Sequence, residues 1–124
     1  MSASELNIKR FNVENRYSDM AVFNGVAYLA GQVANDLSQD AGGQMREVLR
    51  IIDALLAQAN SDKSRVLMAT IYLADLADYA AMNVVWDAWV TDIKGNAPPR
   101  ATVQAKLANP NYKVEVVITA ACLA

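Results

Sequence analysis

The chain has 124 residues, enough for one domain of ordinary size, and 54% of them are hydrophobic, at the top of the usual globular range. Net charge is -2, and of eleven basic residues only Lys9-Arg10 are adjacent, so no basic stripe invites a nucleic-acid backbone. There is no histidine and a single cysteine, Cys122. These counts exclude an internal disulfide, Ser-His and Cys-His nucleophiles, and His-based metal sites.

No apolar run approaches the ~18 residues of a membrane span. The polar N-terminus, residues 1–7, has no apolar core of a signal peptide, and a soluble cytoplasmic protein is the expectation. Glycine-rich nucleotide motifs are missing, and no cofactor or metal is expected. Catalysis in such a chain runs on carboxylates, arginine, tyrosine, backbone groups and water.

In chain order, residues 7–12 suit a short edge strand. Residues 19–24 and 26–31 flank Asn24-Gly25, a two-residue hairpin signal, because both residues tolerate positive φ. Met45, Val48, Leu49, Ile52, Leu55 and Leu56 recur at the steps of one helix face, with Arg46, Glu47, Arg50 and Asp53 opposite. Either Ser38 or Asp40 caps this helix, Gly42-Gly43 weakens its first turn, and Asn60-Ser61-Asp62 ends it.

Residues 65–73 form a strand with apolar residues on both faces. Asp75 caps a second helix, about 76–91, with Leu76, Tyr79, Met82, Trp86 and Trp89 as its stripe. Gly95 and Pro98-Pro99 close it. Two final strands, about 100–107 and 113–122, are joined at Asn109-Pro110-Asn111. Trp86 and Trp89 are read as core or interface, and Cys122 as an inert buried thiol.

The order β-β-β-α-β-α-β-β predicts a single α+β domain over 1–124, with a mixed sheet and both helices on one face. The apolar strands 66–73 and 114–123 require cover on the other face too. With two helices available, a second subunit is expected to supply it.

Two polar residues stand out in the last strands. Arg100 follows two prolines that stiffen its approach, and a guanidinium fork suits a carboxylate through two parallel hydrogen bonds. Glu115 lies in an apolar run, where a carboxylate is costly to bury without a partner or a role. The pair is taken as the seat of chemistry. The plainer alternatives are a surface or ion-paired Arg100 and a structural Glu115. Alternation places Arg100, Thr102, Gln104 and Lys106 on one strand face.

Tyr17, Leu29-Ala30-Gly31-Gln32-Val33, Asp75 to Tyr79, Pro98-Pro99-Arg100 and Lys113-Val114-Glu115-Val116 occur in an order and spacing that resembles the RidA (YjgF) family of imine/enamine deaminases. The likeness spans nearly the whole chain. It implies a chorismate-mutase-like fold, a homotrimer with the sheets lining a central barrel, and ligand clefts between subunits. It implies hydrolysis of reactive 2-imino acids to 2-keto acids and ammonia.

By resemblance, Arg100 matches the residue that holds the substrate carboxylate, and Glu115 the acid beside the attacking water. Tyr17 matches an aromatic at the pocket wall, and Ala30, Gly31, Gln32 and Thr102 match substrate-binding positions. Ala30 stands where the archetype commonly has Ser, and Thr102 where it has Cys, which implies a divergent subgroup. The alternative is a non-catalytic trimer that binds small carboxylates such as keto acids, as a sensor or enzyme partner. Neither reading involves nucleic acid or membrane.

Overall fold

A computed structural model describes residues 6–123; the N-terminal residues 1–5, part of the stretch read for a signal peptide, lie outside it. The observed order is β1 (Lys9–Val13), β2 (Ser18–Phe23), β3 (Val26–Leu29), α1 (Ala41–Gln58), β4 (Val66–Leu73), α2 (Tyr79–Val90), β5 (Arg100–Gln104) and β6 (Val114–Ala121). This is the order expected from sequence. Asn24 and Gly25 take φ of 51° and 75°, which closes the β2–β3 hairpin between Phe23 and Val26.

The six strands form one sheet in the order β1-β2-β3-β6-β4-β5. All neighbours are antiparallel except β4 and β5, which are parallel and need the α2 crossover between them. Both helices lie on one face. Val114, Val116, Ile118 and Ala120 of β6, with Ala69, Ile71 and Leu73 of β4, turn toward that face and are buried. They meet the predicted α1 stripe, of which Met45, Val48, Ile52 and Leu56 are fully enclosed. Trp86 and Trp89 join this core with ring centroids 5.2 Å apart, while Cys122 is half-buried against it rather than sealed inside.

The helix starts differ in instructive ways. Asp40, one of the two candidates, caps α1 by accepting from Gly43 N–H at 2.8 Å. Asp75 caps not α2 itself but a 3-10 turn over Leu76–Asp78, which then runs into α2. A 3-10 turn advances about 120° per residue against about 100° in an α-helix, so it breaks the phase of the predicted stripe. Met82, Trp86 and Trp89 are buried as expected, with Val85 added, but Leu76 and Tyr79 stay 49% and 44% exposed. β5 ends at Gln104 instead of 107, which leaves Lys106 outside the strand.

A buried amide fixes the approach to β6. Gln44, fully enclosed on α1, donates to the carbonyls of Gln39 (3.3 Å) and Asn111 (3.1 Å) and accepts from Lys113 N–H (2.9 Å). Gln44→Leu leaves these backbone groups without partners. We expect it to lower stability by roughly 2 kcal/mol or more, read as a lower denaturant midpoint at unchanged slope.

Among the described residues no helix covers the opposite face of the sheet. Tyr28 (52% exposed), Met68 (39%) and Val103 (42%) lie open there beside the half-buried Val117 and Ala121.

Candidate functional site

Pro98 and Pro99 restrict the chain ahead of β5, and the Pro99 carbonyl accepts from Ala69 N–H at 3.0 Å, which sets the register Ala69 to Arg100. Ala69 faces the helices, so Arg100, Thr102 and Gln104 do too. Arg100 donates to Asn83 Oδ1 at 2.8 Å and to the Tyr79 hydroxyl at 3.2 Å. Its guanidinium lies 5.2 Å from the Trp86 ring centroid and 5.9 Å from that of Tyr79.

All these partners are neutral. Among the described residues the ion pairs are Lys63–Asp92 at 2.7 Å and Arg65–Asp62 at 3.8 Å, and Arg100 is in neither. The seat therefore orients the guanidinium by two hydrogen bonds and an aromatic bed without neutralising it. A half-buried cation with donors to spare has the chemistry to take an anion. Next to it, the Thr102 hydroxyl is enclosed and has no hydrogen-bond partner. Leu76, Tyr79, Arg100 and Thr102 line a hollow of about 470 Å³.

A second group of predicted residues gathers elsewhere. Tyr17, Ala30, Gly31 and Gln32 line a hollow of about 430 Å³ with Asp19 and Asn35. Gln32 pairs with Val116 through both backbone groups, at 2.9 and 3.1 Å, and its side-chain amide is spent on the Ala30 carbonyl at 2.9 Å. Ala30 N–H donates to the Asp19 carbonyl at 2.9 Å. Of the predicted binding residues, Gln32 is thus an organiser of the segment. The charge of the Glu14 carboxylate and its hydrogen bond push the Tyr17 phenol above its ordinary pKa.

Glu115 belongs with this second group. It pairs across the sheet with Tyr72 and faces away from the helices, half-buried. No described side chain donates a hydrogen bond to it. Its carboxylate lies over Gly31: a Cβ there would run into Glu115 Oε2 and stand 2.9 Å from its Cδ. Gly31 is needed for this close approach. Gly31→Ala is expected to turn Glu115 out of place and reduce any turnover about as severely as losing the acid, with the melting temperature changed far less. Parallel rate and thermal measurements check this.

Arg100 and Glu115 are therefore not neighbours within one chain; the sequence reading paired their chemistry without placing both on one subunit. Arg100 is on the helix face of β5 and Glu115 on the opposite face of β6. Alternation within each strand could not reveal this, because both are registered through β4. Sequence reading also missed Asn83 and the Arg100-facing roles of Tyr79 and Trp86. Their spacing of i, i+4 and i+7 on α2 was the available signal, since it places all three on one side of the helix. Among the described residues no cluster of three or more Asp, Glu or Cys is set to hold a metal ion. No described helix is long and apolar enough to cross a membrane.

The fold and these two hollows define a small α+β domain with a mixed sheet backed on one face by two helices. The family model described as Endoribonuclease L-PSP matches residues 7–122. A RutC family protein from Haemophilus ducreyi is 59% identical over 114 residues, covering 92% of this chain and 96% of the relative. The RutC family protein YoaB of Escherichia coli is 49% identical, covering 94% and 99%. A crystal structure of a YjgF family member from Neisseria meningitidis superposes with a TM-score of 0.91 at 44% identity, covering 96% and 98%. The chain belongs to the RidA/YjgF family, as the sequence motifs implied.

Proposed function

We propose that this protein hydrolyses reactive 2-imino acids and their enamine tautomers to 2-keto acids and ammonia, at sites built between subunits of a homotrimer. The observation that carries the reading is Arg100: oriented by Asn83, Tyr79 and Trp86, matched to no carboxylate among the described residues, and beside the Thr102 hydroxyl, which has no partner there either. In this reading Arg100 clamps the substrate carboxylate. Glu115 holds a water and takes its proton as the oxygen bonds to C2 and the C=N electron pair moves to nitrogen. Glu115 passes that proton to nitrogen, which gives the carbinolamine; it then relays the hydroxyl proton to the amino group as the C–N bond breaks, so that ammonia leaves and the oxygen electron pair closes the keto group. Imines hydrolyse unaided in water, so positioning and modest proton transfer suffice.

Two features support the assembly. Arg100 and Glu115 lie on opposite faces of the sheet, so a site using both needs two chains. The bare apolar sheet face, with Tyr28, Met68 and Val103, gives those chains a surface to bury. Light scattering is expected to report a trimer. Mixing unfolded Arg100→Ala and Glu115→Gln chains and refolding them together is expected to restore part of the activity, because some sites then receive one intact half from each. A stable monomer, or no recovery in active-site mixtures of two folded variants, contradicts the inter-subunit site.

A second reading, carboxylate binding without turnover, is favoured by one observation: Glu115 has no described side chain that orients its carboxylate. Keto-acid binding without hydrolysis of any imine selects it. The family model's description names an endoribonuclease. A net charge of -2 and scattered basic residues weigh against RNA as the substrate here. RNA that stays intact after incubation with metal-free protein dismisses that activity.

A further inference from the structure

Resting on the carboxylate-clamp reading, we propose that the hollow beside Arg100 selects ligands with a single carboxylate and a sizeable apolar side chain. The favoured substrates are thus imines of branched aliphatic and aromatic amino acids, ahead of those of alanine or of dicarboxylic amino acids.

Three polar side chains project from the same face of β5. Arg100 is held by α2. Gln104 Oε1 accepts from Leu76 N–H at 2.9 Å. Thr102, between them, is the one left without a partner. The Gln104 bond and the Asp75 cap, whose side chain accepts from Ala77 N–H at 2.9 Å, fix the 3-10 turn that carries Leu76. Tyr79 is fixed by its hydroxyl on Arg100. Two apolar surfaces, each nearly half exposed, are thereby held rigid beside a receptor cation.

Rigid apolar walls bind apolar groups at little ordering cost. The lining of the hollow contains one cation and no second one, so a second carboxylate has no partner there and loses its hydration on entry. A methyl group reaches little of the walls. An isobutyl or benzyl group covers them while its carboxylate stays on Arg100.

Calorimetric titration of the assembled protein with four keto acids tests this without requiring turnover. 4-Methyl-2-oxopentanoate and phenylpyruvate are expected to bind roughly tenfold or more tightly than pyruvate, as burial of several CH₂ equivalents predicts. 2-Oxoglutarate is expected to bind no better than pyruvate. Leu76 is about half exposed, and its N–H bond to Gln104 survives substitution, so Leu76→Arg is expected to fold and to invert the order, favouring 2-oxoglutarate over 4-methyl-2-oxopentanoate. Pyruvate binding as tight as the larger acids, or an unchanged order in Leu76→Arg, overturns the apolar-wall inference alone. No binding of any keto acid, with the trimer intact, overturns the clamp reading beneath it as well.

Discussion

Arg100→Ala is expected to weaken keto-acid binding by about a hundredfold, the loss of about 3 kcal/mol that attends removal of a two-pronged, charge-assisted contact. The protein should remain folded, because Arg100 sits half-buried at the sheet edge and its partners Asn83 and Tyr79 can turn to water. Arg100→Lys separates charge from shape. It keeps the cation but loses the planar fork and its stacking on Trp86, so an intermediate loss of roughly tenfold is expected. Equal losses in Ala and Lys variants would mean that fork geometry dominates. No loss in either, measured by calorimetry, would place the carboxylate elsewhere. Asn83→Ala tests the seat: the cation remains but its direction is freed, which should raise KM more than it lowers stability.

Glu115→Gln carries the second large effect. The amide is nearly the same size and keeps a hydrogen-bond acceptor, yet it cannot take a proton from water. The turnover number is expected to fall by about a hundredfold or more, the usual range for a lost general base, while keto-acid affinity changes little. A variant that loses rate without losing affinity has lost an interaction used only on the way to the transition state. If instead Glu115→Gln hydrolyses imines at the wild-type rate, the acid is structural and water attack needs another base. The Gly31→Ala variant should mimic Glu115→Gln in rate, since the added methyl group occupies the space of the carboxylate.

Element order was legible because each element carries a local signal: the Asn24-Gly25 turn, the Met45 to Leu56 stripe, the Pro98-Pro99 break. Chemical type was legible at Arg100 and Glu115, since a lone charge in an apolar strand stands out. What sequence did not carry was relation across elements. The Asp75 cap signal is the same for a 3-10 turn as for an α-helix, so sequence places Leu76 and Tyr79 on the helix stripe with Met82, whereas they line the hollow beside Arg100. Gln44 reads as one more polar helix residue, and only the fold reveals that it pins residues 111 and 113, more than sixty positions away. The separation of Arg100 from Glu115 depends on two strand registers through β4, which no local pattern encodes.

The most direct test of the account is a competition assay. An amino-acid oxidase generates imines from a panel of amino acids in the presence of semicarbazide, and wild-type protein, Arg100→Ala and Glu115→Gln are added in parallel. Wild type is expected to suppress semicarbazone formation from the imine while keto acid and ammonia accumulate, and neither variant is expected to do so. Semicarbazone formation unaffected by wild type for every amino acid in the panel would contradict the deaminase reading.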